Sequence, residues 1–465
     1  MGARLAFGVI VIRGGMGVAF DVRATARVEA NDGEGDGAVR FARCGMIVSD
    51  DARTPTPCAL APTSRGEHAV LTMDVLEDVD ARLRARAAED GDEDARDAGV
   101  RHFGVVLAGA HFAKKADRGR KRKAAGAAAA AAAATTSANG NETNDDASRE
   151  RCPPPRRFAL GHYRDSMHFG LNAWSRSNDE ELVVETPFGQ QTYSPVEYAR
   201  LWGRSAHAAC ALADEHGAWE NDKKSKTAAI RTRAWLDACL EEAKAVGLPM
   251  WATLVGGEHV EVREECSRAI AARDEDVCGY VVGGLFAGER EDARGKCVEA
   301  SLRHIKSEGK PRYLSGQATV EDVVDNIERG IDVFDASWAS ATAARGRAFS
   351  FPIDASDACE IEDASSRATT GADAYSINVW STAYKTDFVP FLGPDRCHCP
   401  ACVDHTRAYV HHLLQAHEMT AHVLLEAHNL YHLCRFFAAA RRAIRRDEWA
   451  AFAAFHRAHA RRARE

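Results

Sequence analysis

Between residues 196 and 340 apolar runs and helical repeats take turns. The runs 248–255, 278–282, 312–316 and 331–334 are short and rich in Val, Leu, Ile or aromatic residues, and the first two end at Gly256-Gly257 and Gly283-Gly284. Such runs, bounded by turn residues, predict buried strands. Segments 230–246, 261–273, 290–307 and 320–329 place apolar residues at three- and four-residue steps and predict helices, as does 195–216. A strand followed by a helix, recurring at intervals of roughly 20–30 residues, is the signature of parallel βα units. Carried over a segment of this length, the repeat predicts a closed (β/α)8 barrel of TIM type, with an open doubly wound sheet as the alternative. In a barrel, side chains at strand ends gather at one mouth, which places Val255, Gly283 to Glu289 and Asp335 together.

The flanks read differently. The run 7–12 is dominated by β-branched residues and predicts an N-terminal strand. The competing reading of residues 1–27, with Arg4, Arg13, Arg23, Arg27 and one acid, Asp21, is a mitochondrial transit peptide. Residues 114–156 join a basic run, an alanine tract and a polar stretch ending in Pro153-Pro154-Pro155, too poor in varied apolar residues to pack. From residue 403 the chain is helical almost to its end. Residues 435–465 carry nine arginines against three acids, which reads as an RNA-facing tail or as a solvated charged face. The expected organisation is an N-terminal β segment (1–43), a barrel (44–396) interrupted by the insertion at 114–156, and a helical subdomain with a basic tail (397–465).

Composition narrows the chemistry. A 45% hydrophobic content supplies a large core, and a formal net charge of −8 gives no global sign of a nucleic-acid binder. Thirteen cysteines, mostly without pattern, suit a reducing compartment better than a disulfide scaffold. No apolar run approaches the roughly 20 residues needed to span a bilayer. Three cysteines do have a pattern: Cys397, Cys399 and Cys402 share one tight loop ahead of a helix that carries His428. Three thiolates and an imidazole make a closed Cys3His set, the tetrahedral donor set of a structural Zn2+ ion, against the alternative of buried thiols or a disulfide.

These residues resemble a known family. Cys397-His398-Cys399-Pro400-Ala401-Cys402, Thr406-Arg407-Ala408-Tyr409 and His428-Asn429-Leu430 are similar to the zinc subdomain of tRNA-guanine transglycosylases. Gly283-Gly284-Leu285-Phe286-Ala287-Gly288-Glu289 resembles that family's Gly-Gly-Leu-Ala-Val-Gly-Glu loop, and Lys310 to Gly316 stands at the expected distance before the next strand. Arg329-Gly330-Ile331-Asp332-Val333-Phe334-Asp335 resembles the strand that ends in the family's nucleophilic aspartate. The resemblance implies one structural zinc per subunit, held by Cys397, Cys399, Cys402 and His428, and a role in exchanging guanine for a deazaguanine base, queuine in eukaryotes, at the tRNA wobble position.

The departures bear on catalysis. The family's Asp-Ser-Gly-Gly-Phe-Gln motif has no counterpart; Asp165-Ser166 is the nearest and continues into Met167-His168-Phe169. The base-reading Val-Gln-Gly-Gly appears as Leu254-Val255-Gly256-Gly257, and Pro-Thr-Arg as Ala339-Ser340-Ala341; Asp214-Glu215 stands near the place of a base-recognition aspartate. This pattern is similar to the non-catalytic accessory subunits of eukaryotic queuine tRNA-ribosyltransferases. The implied partners are a catalytic subunit of the same fold, in a heterodimer, and tRNA. Asp335 is then vestigial and the chain is no enzyme on its own. The alternative is a divergent active transglycosylase with Asp335 as nucleophile and Asp214 or Asp165 as second carboxylate. The resemblance implies a cytoplasmic location, with mitochondrial association left open by the arginine-containing start.

Overall fold

A computed structural model describes residues 18–28, 40–49, 52–64, 67–68, 70–92, 100–108, 157–164, 177–186, 189–203, 205–218, 220–357 and 370–464. The expected strand at 7–12 and the insertion at 114–156 lie outside the described residues. The chain enters through an antiparallel sheet of Ala19–Val28, Arg40–Val48 and Arg53–Thr56, which runs past residue 43 to the edge of the barrel.

Eight parallel strands follow in chain order: Cys58–Ser64, Gly104–Ala108, Ala159–His162, Ala208–Cys210, Met250–Leu254, Gly279–Val282, Arg312–Leu314 and Val333–Asp335. The last pairs back onto the first, Val333 with Cys58 and Asp335 with Leu60, so the sheet closes as the expected (β/α)8 barrel. Side-chain alternation sorts the strands into two apolar layers. Leu60, Val106, Leu160, Cys210, Trp251, Val281, Tyr313 and Val333 fill the inside, while Ala59, Val105, Ala159, Ala209, Ala252, Val282, Leu314 and Phe334 face the helices. The inward layer needs gaps: a Cβ on Gly279 would lie 2.7 Å from the Trp251 ring, and one on Gly104 would lie 2.7 Å from Leu60 Cδ2, so glycine at each position admits the large side chain beside it.

The fourth strand corrects the helix expected over 195–216. Helix Pro195–Trp202, capped by the Ser194 side chain, stops at Gly203, and Ala208–Cys210 is strand. A run of alanine and cysteine carries no β-branched signal. It pairs in the barrel because its neighbours supply the bulk: Trp202 lies where a Cβ on Gly161 would be 2.5 Å from its ring, and Trp251 fills the interior beside Cys210.

The antiparallel sheet plugs the barrel's N-terminal end, with Phe20 and Ile47 in the same apolar layer as the interior side chains. Arg43 locks the plug. Its Nε and Nη2 donate to the two Asp332 oxygens at 2.7 and 2.5 Å, and the same guanidinium reaches the carbonyls of Glu308 and Lys310 at 2.7 and 2.9 Å. Asp332 is fully buried, and burial raises its pKa although Arg43 and Arg312 pull it down.

The helix Met419–Arg445, which carries His428, is also a barrel wall. Phe437 stacks on Phe334 at 5.6 Å, and buried Arg441 donates to Pro57 O at 2.8 Å, so this helix covers the seam between the eighth and first strands. The C-terminal arginines are largely internal ties: Arg442 to Asp90 at 3.0 Å, Arg445 to Asp92 at 2.8 Å, and Arg457 to Asp325 at 2.7 Å and to Glu328 at 2.5 Å. Arg446, Arg461 and Arg462 are exposed, so the tail is divided between internal ion pairs and an exposed charged face.

Arg43→Ala is expected to leave buried Asp332 without its ion-pair partner, with only the Arg312 N–H still donated to it, and to lower the unfolding free energy by about 3–5 kcal/mol, measured by urea denaturation. A loss below about 1 kcal/mol, the range of a surface ion pair, would show that the plug is held by apolar contact alone.

Candidate metal centre and barrel mouth

Residues 393–402 form a loop shaped by backbone bonds and a helix start. Cys397 N donates to Gly393 O at 3.0 Å, and Cys399 caps helix Pro400–Asp404, its Sγ accepting from Cys402 N at 3.3 Å. His428 arrives from helix Met419–Arg445, and all four side chains are buried. Its Nδ1 lies 3.7, 3.4 and 3.4 Å from the sulfurs of Cys397, Cys399 and Cys402, and the four donor atoms all lie within 4.8 Å of one another. A tetrahedral ion bonded to thiolate and imidazole at the usual lengths gives edges of about 3.5–3.8 Å, so the donors fit a metal ion.

The imidazole is oriented from behind. His428 Nε2 donates to Phe349 O at 2.8 Å, which leaves Nδ1 as the ligating atom, and Phe391 packs edge-on at 5.0 Å. Electrostatics already favour the ligating form of one thiol. Hydrogen bonds from Cys397 and Cys399, with the charge on His428, hold Cys402 far below the usual thiol range, while burial pushes Cys399 up. Burial opposes charge on His428, yet the nearby Cys402 and Cys397 outweigh it and hold its pKa up. With no free position, such a set supplies cross-linking and charge rather than an open site for water.

At the C-terminal ends of the strands, Asp335 is 2% exposed; Tyr313 Oη donates to its Oδ2 at 3.1 Å and Ser337 N to its Oδ1 at 2.9 Å. A chain of contacts crosses the mouth from there. Tyr313 meets His162 edge-on at 6.3 Å, His162 stacks on Tyr163 at 4.5 Å, and Tyr163 Oη donates to Glu215 Oε1 at 2.6 Å. Arg164 pairs with the other Glu215 oxygen at 2.7 Å. Glu215 follows the fourth strand and Asp335 ends the eighth, so the two carboxylates stand on opposite sides of the ring.

Asp214 faces the other way. Its carboxylate binds Arg231 of helix Asp222–Val246, and its N–H donates to Thr232 Oγ1 at 3.0 Å. Val255, one of the residues expected at the mouth, is buried and apolar. The two glycine pairs are tied together by fully buried Arg263, which donates to Gly257 O at 2.6 Å, Gly283 O at 3.1 Å and Gly284 O at 3.3 Å. The loop beyond them is stiff. Phe286 takes the left-handed backbone (φ 58°), and its ring lies on Gly316, where a Cβ would be 2.2 Å away. Glu289 accepts the N–H groups of Phe286 and Ala287 at 2.6 and 2.8 Å, and Arg294 Nε at 2.7 Å.

The expected cluster at the mouth is thus present in two linked parts, the Arg263-clamped loops with Glu215, and Asp335 with Tyr313. Ser340, at the position of the family's Pro-Thr-Arg, is turned into the core and donates to Glu426 Oε1 at 2.5 Å. Asp165 and Ser166 lie outside the described residues. Sequence reasoning missed His162, Tyr163 and Arg263. The available signal was position: the first two end or follow a barrel strand, and Arg263 lies six residues past the first glycine pair.

A sequence profile of the family described as queuine tRNA-ribosyltransferase matches residues 163–461. Among curated proteins, the chain is 30% identical over 234 residues to "Queuine tRNA-ribosyltransferase accessory subunit 2" of Culex quinquefasciatus, covering 48% of this chain and 52% of that protein. It is 32% identical over 254 residues to the protein of the same name from Xenopus tropicalis, covering 49% and 59%. It is 30% identical over 281 residues to "Queuine tRNA-ribosyltransferase" of a Synechococcus strain, covering 59% and 68%. The chain therefore spans little more than half the length of the two accessory-subunit relatives.

Cys399→Ser is expected to abolish stoichiometric metal and to lower the melting temperature, read by elemental analysis and calorimetry. Unchanged metal content and melting would remove the Cys3His assignment. Burial, aided by Arg164, holds the His162 pKa down at about 3, against an ordinary 6.5. The unfolded chain therefore takes up this proton first, and stability is lost as pH falls from 6.5 towards 3. His162→Gln should flatten the acid limb of a melting-temperature profile; an identical limb would contradict the shift.

Proposed function

The chain belongs to the queuine tRNA-ribosyltransferase family, and from that premise we propose that it is a non-catalytic accessory subunit. It works beside a catalytic subunit of the same fold in exchanging guanine for queuine at the wobble position of tRNA. The observation that carries this reading is the state of the barrel mouth. Groups that would have to meet a base edge are apolar, as at Val255, or already engaged, as Glu215 is by Tyr163 and Arg164 and Asp214 by Arg231. Freeing such a buried group, or leaving a base edge unpaired against Val255, costs on the order of 1–3 kcal/mol for each group. The framework around them, the clamped glycine loops and the closed strand ring, is kept.

In this reading the ion in the Cys3His set is zinc, one per chain, and structural. Three thiolates and one imidazole suit Zn2+, and the coordination closes with no open position. The ion cross-links residues 397–402 to the barrel-covering helix, and the four ligands leave it a net charge of about −1. Arg407, paired with Asp387 at 3.0 Å and bonded to Phe391 O at 2.9 Å, belongs to the surrounding shell.

A partner needs a face, and apolar side chains are exposed beside this centre. Phe388, Val389, Val403 and Tyr409 are 76%, 50%, 54% and 42% exposed. The first two are joined to the start of helix Arg407–Gln415 by Arg407 N to Val389 O at 2.8 Å and Ala408 N to Asp387 O at 2.9 Å. Such a patch favours burial against another chain. Among the described residues no helix is long and apolar enough to cross a membrane.

One observation favours the second reading, an active transglycosylase: Asp335 keeps two hydrogen-bond donors, and Glu215 stands across the ring from it. There Asp335 would attack the ribose anomeric carbon as the bond from that carbon to guanine breaks, and Glu215, released from Arg164 and protonated, would give its proton to the departing base. Asp335→Ala in the complex with a catalytic subunit separates the two. The accessory reading expects guanine exchange within about twofold of the unsubstituted complex; a fall of a hundredfold or more, with the partner's own nucleophile intact, establishes the active reading.

A further inference from the structure

One helical turn of the metal-bearing helix grips the segment that follows Asp335. Glu426 Oε1 accepts from Ser340 Oγ at 2.5 Å. Two residues on, His428 faces the thiols with Nδ1 and donates through Nε2 to Phe349 O at 2.8 Å. Asn429, wholly buried, uses its amide three times: Oδ1 accepts Phe349 N–H at 2.8 Å, and Nδ2 donates to Ala339 O at 3.2 Å and Arg347 O at 3.1 Å. Both backbone groups of Phe349 are therefore held by adjacent residues of one helix.

What is gripped leads back to the mouth. Ala339 and Ser340 lie on helix Ser337–Ala344, whose first N–H is the one donated to Asp335 Oδ1. Trp338 on that helix packs on Phe349 with tilted rings at 4.3 Å, and Ala336 N is fixed to Leu60 O at 2.9 Å. The path from thiol loop to carboxylate thus runs through hydrogen bonds and one ring contact, without an exposed link. An amide with an acceptor and two donors suits this junction, since its three bonds go to three backbone groups of two elements.

We propose that Asn429 is a positioning residue through which the metal-bearing helix sets the Asp335 carboxylate and its Tyr313 hydrogen bond, so that order at the Cys3His centre is felt at the barrel mouth. The metal arm of this inference rests on the metal reading above; the Asn429 arm does not. It gives the metal subdomain a task beyond holding itself together, because loss of the ion would loosen the turn that carries Glu426, His428 and Asn429.

The test uses the full chain carrying 13Cζ-labelled tyrosine, whose shift reports the hydroxyl hydrogen bond, with the Tyr313 signal assigned by Tyr313→Phe. In metal-loaded Asn429→Ala, at unchanged metal content, the Tyr313 signal is expected to move by more than its linewidth. Tyr280, bonded to Asp274 near the opposite end of the barrel, should stay. Chelating the metal from the unsubstituted chain should move Tyr313 in the same direction. A role limited to stability would only reduce the native population and leave the native signal where it was. Should Asn429→Ala fail to fold, Ser340→Ala, which removes a single bond to Glu426, should give a smaller shift of the same sign. A Tyr313 signal unmoved in a folded variant overturns the proposal. A chain that holds no metal yet shows the Asn429 shift overturns the metal reading alone.

Discussion

One imidazole with two obligations organises the molecule. His428 turns Nδ1 to three sulfurs and Nε2 to the Phe349 carbonyl, so the same ring belongs to the thiol loop and to the backbone beyond the last barrel strand. The helix that carries it runs on to cover the seam where the eighth strand pairs with the first, with Phe437 on Phe334 and Arg441 on Pro57 O. The Cys3His set and barrel closure are thereby parts of one packing problem. A ring tilted to suit only one obligation would leave either a buried carbonyl or a ligand position unsatisfied.

The barrel and the chemistry of its mouth depend on different residues, which lets one persist without the other. Arg263 holds both glycine loops through their carbonyls, and Arg43 holds the plug through Asp332. None of those contacts needs a bound base. Val255 can therefore be apolar, and Glu215 can close onto Tyr163 and Arg164, without disturbing the ring of strands. Family membership accordingly speaks to the architecture, and the function must be argued from the side chains at the mouth.

Legibility in the sequence followed the range over which each signal acts. The strands Met250–Leu254 and Gly279–Val282 and the helices after them were readable because apolar runs, glycine pairs and helical steps are local. The cysteine cluster was readable for the same reason, whereas His428, which shares its helix with His422 and His432, was singled out by the family resemblance. Ala208–Cys210 was not, since a strand of small residues exists by virtue of Trp202 and Trp251 packed around it. The contacts between Glu215 and Tyr163 and between Ser340 and Glu426 join positions 52 and 86 residues apart, and no local pattern announces them. The arginines after 435 looked like a basic surface because their acidic partners, Asp90, Asp92 and Asp325, are distant in sequence.

The central claim is that this chain keeps the barrel of a base-exchanging enzyme while its mouth no longer presents free groups to a base. The most direct measurement is incorporation of labelled guanine into tRNA by the purified chain, alone and then with a catalytic subunit added. The account predicts background incorporation alone and turnover only in the mixture. Sustained turnover by the chain alone, abolished by Asp335→Ala, would contradict it.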